Sequence, residues 1–235
     1  MLWAAVVTSA PPGPQRNDGL REGVIKFAAT HQAAPLSRAA QDVVQLLAGW
    51  RRILFDLELL GKEPCRYQGA AFGNLSARLG PFPGERGARA FAITGTQTSG
   101  RRELGAEDFC VVTAADVKRN HVTSHGPALP SSESMTHATV YDASPTIRAV
   151  FHVHAPAIFR ARLPLPETAP GVDYGTPEMA LEVARLWRGS SLPETRVFVM
   201  RGHEDGVVAF GKSVDEAGGA LIAVLARALA PAQSS

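Results

Sequence analysis

At 235 residues, 45% apolar and 20% charged, the chain is long enough to bury one sizeable core without disulfide or metal staples. Its 24 basic and 22 acidic residues are mixed along the chain and leave a formal charge of only +2, which argues against nucleic acid or an anionic membrane as partner. Cys65 and Cys110 stand apart with no Cys-x-x-Cys spacing, so neither a zinc ribbon nor a disulfide framework is indicated, and no run of about 18 apolar residues is present to span a membrane.

Residues 1–7 are apolar but few, with no positively charged stretch, so a secretory signal is not expected and a cytoplasmic protein with reduced thiols is. Residues 8–23, rich in Pro, Gly and polar side chains, read as an irregular arm, and residues 24–27 as a short edge strand. Residues 1–35 are thus set apart as an N-terminal arm, and residues 36–235 as one domain. From Leu36 the texture changes. Val43, Val44, Leu47, Trp50, Ile53, Leu54 and Leu57 recur at three- and four-residue steps, with Ser37 as N-cap and Gly61 just past the end. That pattern predicts a long amphipathic helix whose stripe is ordinary core packing.

After Tyr67 short strands separated by glycines are expected, over residues 73–79, 90–93 and 109–112. A helix over residues 131–142 is stopped by Ser144-Pro145, and a strand over residues 147–153 follows. Thr176-Pro177-Glu178 supplies N-cap, N1 and first-turn residues for a helix carrying Met179, Leu181, Val183, Leu186 and Trp187. Strands over residues 196–200 and 207–210 flank a Gly-His turn, and Ser213 caps a last helix over residues 214–229. Helices and strands in this order predict a layered α/β domain with a mixed or antiparallel central sheet rather than a βαβ repeat.

Five short patches carry chemistry. In His152-Val153-His154 the two imidazoles share one face of a strand, with roots about 7 Å apart, close enough to converge on one metal ion. A bare His-x-His fits two hydrogen-bonded strand histidines equally well. Gly73-Asn74-Leu75-Ser76 is a turn able to aim backbone N–H groups and an amide at an anion, although a plain turn has the same look. The loop over residues 94–100 has four hydroxyls and two glycines, the texture of a phosphate cradle or of a polar surface loop. Ser131-Ser132-Glu133 opens a helix whose exposed N–H groups favour an anion; simple capping explains it too. His137 lies four residues beyond Glu133 on the same helix face. His203, in Gly202-His203-Glu204-Asp205-Gly206, sits on a turn.

Taken together and in this order, Gly73-Asn74-x-Ser76, Thr94-Gly95, Ser131-Ser132-Glu133 with Tyr141 and Pro145 after it, His152-x-His154, and His203 before a Gly-Val-Val strand resemble the class II aldolase/adducin family. The similarity spans roughly residues 39–229. The resemblance implies an α/β fold, a three-layer αβα domain with a central, mainly antiparallel sheet, and a homotetramer holding Zn2+ or another divalent cation such as Mn2+. By position it makes His152, His154 and His203 the metal ligands. Glu133 becomes the carboxylate that sits on the metal or acts as acid/base, and Asn74, Thr94, Gly95, Ser131 and Ser132 bind the phosphate or carboxylate end of a small hydroxy-carbonyl substrate. The implied reaction is a lyase step that cleaves or forms a carbon–carbon bond through a metal-stabilised enediolate.

Two departures bear on that reading. Glu204 and Asp205 separate His203 from Gly206, where family members often have Gly directly after the His. The chain also closes on Pro231-Ala232-Gln233-Ser234-Ser235, without the tyrosine-bearing tail that some aldolases use as a proton donor. Asp205, Glu204, Tyr174 or a subunit neighbour can fill that place, and the sequence does not choose among them. Epimerisation, dehydration and decarboxylation need the same metal-held intermediate and stand as alternatives. A non-catalytic adducin-like assembly domain is the rival from another class; it is expected to lack the ligand histidines that are present here.

Overall fold

The computed structural model describes residues 6–9, 25–161 and 163–231. In chain order these form β1 (Val6–Ser9), β2 (Ala28–Ala33), the long helix α1 (Arg38–Asp56), β3 (Gly61–Lys62), β4 (Ala71–Phe72), β5 (Asn74–Arg78), β6 (Phe91–Thr94), β7 (Phe109–Asp116) and β8 (His121–Gly126). The remainder is α2 (Ser134–Ala143), β9 (Ala149–His154), α3 (Pro156–Arg160), α4 (Pro177–Gly189), α5 (Leu192–Thr195), β10 (Val197–Val199), β11 (Gly206–Gly211) and α6 (Val214–Leu229). No helix among the described residues is long and apolar enough to cross a membrane.

Nine strands make one sheet in the order β1-β2-β8-β7-β6-β5-β9-β11-β10, and every neighbouring pair except β2–β8 is antiparallel. Strand β9 lies between β5 and β11, third from the β10 edge, and all six of its residues are buried. Because side chains alternate across a strand, β9 feeds two cores. Ala149, Phe151 and Val153 pack with Leu75, Val207 and Ala209 beneath α1, α3 and α6. Val150 packs with Ile93, Val208 and Phe198 beneath α2, α4 and α5. Helices on both faces of a central, mostly antiparallel sheet give the expected three-layer αβα architecture.

The caps fall where the sequence put them. Ser37 accepts from the N–H of Ala40 at 3.2 Å, Thr176 from that of Met179 at 3.3 Å, and Ser213 from that of Glu216 at 3.1 Å. Helix α1 closes sooner than expected. Glu58 takes the left-handed turn (φ 57°), and Gly61 already lies in β3.

The N-terminal arm needs correction. The strand expected at residues 24–27 forms at Ala28–Ala33 instead, and with Val6–Ser9 it belongs to the main sheet, so these parts of the arm are regular structure. Of the stretch read as irregular, residues 8–23, residues 10–23 lie outside the described residues. Strand β8 has no counterpart among the expected elements. It and β2 are poor in apolar side chains, and they pair with each other through polar contacts: His31 Nδ1 lies 3.0 Å from Ser124 Oγ, and Thr30 Oγ1 lies 3.0 Å from His121 Nε2.

Candidate metal centre

Three histidines from two separate stretches of chain meet at one end of the central strands. His152 and His154 point from β9 to the α2/α4 side of the sheet. His203 stands on the β10–β11 turn, which the antiparallel register brings alongside, with Gly206 opposite His154. The turn is held by hydrogen bonds from His203 N–H to the Met200 carbonyl and from Gly206 N–H to the His203 carbonyl, each 2.9 Å. Asp205 takes a left-handed conformation (φ 58°) that brings its carbonyl to the N–H of Ala155 at 2.8 Å. One ligand atom from each of the three rings falls within 4.8 Å of the others, and all three side chains are buried.

Glu133 arrives from the opposite layer. It lies at the start of α2, where its carbonyl accepts from the N–H of His137 at 3.0 Å. Its Oε1 lies 3.2 Å from His203 Nδ1 and 3.8 Å from His152 Nε2. The carboxylate is 0% exposed, yet neither oxygen receives a hydrogen bond among the described residues. A buried carboxylate in that condition is unfavourable unless a positive charge balances it. Three imidazoles and one carboxylate are a donor set suited to zinc or a similar divalent ion, so the residues present fit such a metal.

The residues expected to hold an anion gather beside this cluster. Asn74 sits opposite His152 in the β5–β9 register, buried, with its Oδ1 lacking a hydrogen-bond partner among the described residues. Gly73 before it has φ +79°, and a Cβ there would come within 2.6 Å of Leu60 Cβ, so only glycine makes that turn. Thr94 ends β6, and its Oγ1 accepts from the N–H of Leu75 at 3.3 Å. Gly95 bridges to Pro130, and a Cβ on it would lie 2.6 Å from Ala128 Cβ. The hydroxyl loop is thereby clamped to the segment leading into Ser131 and Ser132. The helix expected from Ser131 starts only at Ser134, with Glu133 at its N-cap position and no side-chain cap; Ser131 Oγ accepts from the N–H of Glu133 at 3.3 Å within the turn that precedes it. Ser99 Oγ donates to the Gly73 carbonyl, which closes the loop onto Asn74.

Residues 66–229 match the family described as Class II Aldolase and Adducin N-terminal domain. The chain belongs to that family. Among solved structures, YgbL from Klebsiella pneumoniae, assigned provisionally as an aldolase, epimerase or decarboxylase, is 21% identical, with a TM-score of 0.58 over 82% of this chain and 89% of that one. An l-fuculose-1-phosphate aldolase from Thermus thermophilus is 23% identical, with a TM-score of 0.55 over 79% and 90%. A sugar-phosphate aldolase from Thermotoga maritima is 18% identical, with a TM-score of 0.58 over 80% and 92%. No curated protein matches. At these identities the structural likeness shows the class II aldolase fold alone.

Three features of this family member escape sequence reading. Arg51, buried in α1, donates to the carbonyls of Thr98, Ser99, Arg101 and Arg102 and so pins the hydroxyl loop from behind. Burial pulls its guanidinium down to about 10. It is hidden inside the apolar stripe of α1, where one Arg reads as a solvated side chain. The second feature is the pair Tyr67 and Asp205. The Tyr67 hydroxyl donates to Asp205 Oδ2 at 2.8 Å, and its ring lies edge-on to His154, centroid to centroid 4.3 Å. Asp205, one of the two residues separating His203 from Gly206, is thus engaged with Tyr67, while Glu204 is exposed and Tyr174 stacks beside His203 at 4.6 Å. The third is a buried chain through Tyr141, Ser76 and His137 behind the cluster. Its members are each visible in the sequence; their meeting is not.

Proposed function

We propose that this protein is a metal-dependent lyase that cleaves or forms a carbon–carbon bond beside the carbonyl of a small hydroxy-carbonyl compound, phosphorylated or not. The observation that carries the reading is the convergence of His152, His154 and His203 around the fully buried carboxylate of Glu133, which receives no hydrogen bond among the described residues. The three histidines would hold Zn2+, or another divalent cation such as Mn2+, with Glu133 in reach. When bound, the cation supplies a Lewis acid that polarises the substrate carbonyl and balances the negative charge left as the adjacent bond breaks. Glu133, beside the cluster and without a hydrogen-bond donor among the described residues, moves the proton this step requires. Asn74, Thr94, Gly95, Ser131 and Ser132 orient the anionic end of the substrate through hydroxyl, amide and backbone N–H donors.

The Thermus and Thermotoga relatives named as aldolases support the lyase reading, and the YgbL relative keeps epimerisation and decarboxylation as reactions the same residues can serve. A homotetramer in the cytoplasm is part of the proposal. The exposed Leu46, Ile53 and Leu57 on and just after α1 offer apolar surface for assembly. Metal analysis of the purified protein is the first test, with His152→Ala as control. About one divalent ion per chain, lost in the variant, is the expected result; a wild-type protein that takes up none overturns the reading. Aldehydes paired with dihydroxyacetone phosphate, glycolaldehyde or pyruvate then identify the reaction.

A further inference from the structure

We propose that His137, to which the chemistry above gives no role, is a positioning residue: its Nε2–H is a second resting place for the Glu133 carboxylate, taken up when a ligand occupies the histidine cluster. The inference rests on the metal-centre reading and adds the group that controls where its carboxylate stands.

The hydrogen bonds fix the tautomer. Ser76 Oγ lies 2.7 Å from His137 Nδ1 and 2.7 Å from Tyr141 Oη, while the Val150 carbonyl is 3.5 Å away, too far to compete. Tyr141 is fully buried, burial pushes its hydroxyl far up, and it keeps its proton, which it donates to Ser76. The Ser76 proton then goes to His137 Nδ1. Burial holds the His137 imidazole well below its usual value, so the ring is neutral and its single proton sits on Nε2. That N–H is 0% exposed and has no hydrogen-bond partner among the described residues. A buried donor with no acceptor is a group waiting for one.

Glu133 lies one helical turn earlier, and its two oxygens lack donors in the same way. Residues four apart on a helix stand about 5–6 Å apart at Cβ, within the swing of a glutamate side chain. An undonated carboxylate and an unaccepted N–H on successive turns of one helix face are complementary, and the bond between them would be charge-assisted. In the present arrangement Oε1 leans on His203 instead. The carboxylate therefore has two stations, the histidine cluster and the His137 N–H, and a ligand entering the cluster sends it to the second.

The test uses wild-type, His137→Leu and His137→Gln proteins loaded with Co2+. Cobalt affinity is read by chelator competition, and binding of the two-oxygen ligand acetohydroxamate by the visible absorption of the cobalt. His137→Leu is expected to bind acetohydroxamate about tenfold more weakly and cobalt no more weakly than wild type, with most of the loss recovered in His137→Gln, which keeps an N–H. Cobalt and acetohydroxamate affinities falling together in His137→Leu, as a packing defect would make them, overturn the inference, as does an unchanged acetohydroxamate affinity. A second measurement needs no variant. In 15N-labelled, zinc-loaded wild type the His137 Nε2 proton is expected to move downfield when acetohydroxamate is added, and a stationary signal counts against the second station. Failure of the wild type to take up metal sinks the metal-centre reading and this inference with it; metal uptake without these responses sinks only this one.

Discussion

Strand β9 separates two chemistries one residue apart. Phe151 and Val153 enter the core beneath α1, α3 and α6, where contact alone satisfies them. His152 and His154, on the other side of the same strand, share their layer with Asn74, Ser76, Glu133 and His137, all buried. Of these, Asn74, Glu133 and His137 carry polar atoms without a hydrogen-bond partner among the described residues. Buried polar groups without partners are costly, whereas packed apolar ones are the main source of stability. Both faces hold apolar core, but at this end of β9 the second also carries groups that only a ligand completes. A domain can sustain such a polar cluster because apolar side chains pack on both faces of the sheet around it.

The sharpest way to break that comparison is to exchange the two kinds of damage. His152→Ala should reduce bound metal from about one per chain to less than about a tenth, while thermal stability of the metal-free protein hardly moves. Elemental analysis and differential scanning calorimetry check both halves. Phe151→Ala should do the reverse. Loss of a fully buried aromatic side chain is expected to cost about 3–5 kcal/mol in urea unfolding, with the metal stoichiometry of the protein that remains folded unchanged. If Phe151→Ala lost metal and His152→Ala lost stability, the division between the faces would be wrong.

The faces should also differ in their response to acid. Burial keeps His137 neutral in the folded chain, whereas in the unfolded chain it takes up a proton near its ordinary value of 6.5. Below that pH the unfolded state binds the extra proton, so stability is present above about 6.5 and falls as the pH drops, by up to about 1.4 kcal/mol per pH unit. Denaturant melts of metal-free protein between about pH 7 and 5 should show this slope, and His137→Gln should make it shallower, with His31, also held below its ordinary value by burial, keeping part of it. The side chains packed around Phe151 are apolar and take up no proton, so Phe151→Ala should shift the whole curve down and leave its slope alone.

How far this division is legible in the sequence depends on which physics each residue obeys. Helices α1, α4 and α6 can be read because apolar period and cap agree, and β9 because a fully buried strand is a run of apolar residues that two histidines interrupt. Strands β2 and β8 cannot, since Ala28–Ala33 and His121–Gly126 carry small and polar side chains whose burial comes from each other and not from a hydrophobic period. At the site, only His152 with His154 can be brought together from local spacing; Glu133, like His203, is joined to them by family resemblance. The register of β9 and β11 brings His203 there. The link from Tyr67 to Asp205 spans 138 residues and leaves no periodic trace. Interactions that decide the polar face are long-range and one-of-a-kind, which is why the apolar face is the easier one to read.

The smallest expected effect is the one that best isolates the two layers, because it damages neither core directly. Ser37 caps α1 over the apolar face, and Thr176 caps α4 over the polar one, each by accepting a single backbone N–H. Removing either cap with alanine should cost about 1 kcal/mol in denaturant unfolding. There the likeness ends. Thr176 also donates to the Asp173 carbonyl at 2.8 Å, and in that same turn Tyr174 stacks on His203 and Gly175 donates to Thr136 Oγ1 at 3.0 Å. Thr176→Ala loosens the wall against which a metal-binding imidazole rests, whereas Ser37→Ala loosens only a helix end on the other layer. Equal losses of stability with a severalfold weaker metal affinity in Thr176→Ala alone would show that the polar layer is tuned by its neighbours and not merely supported by them. Equal metal affinities in the two variants would mean that the histidine cluster is held by its strands, and that the helical layer above it contributes only burial.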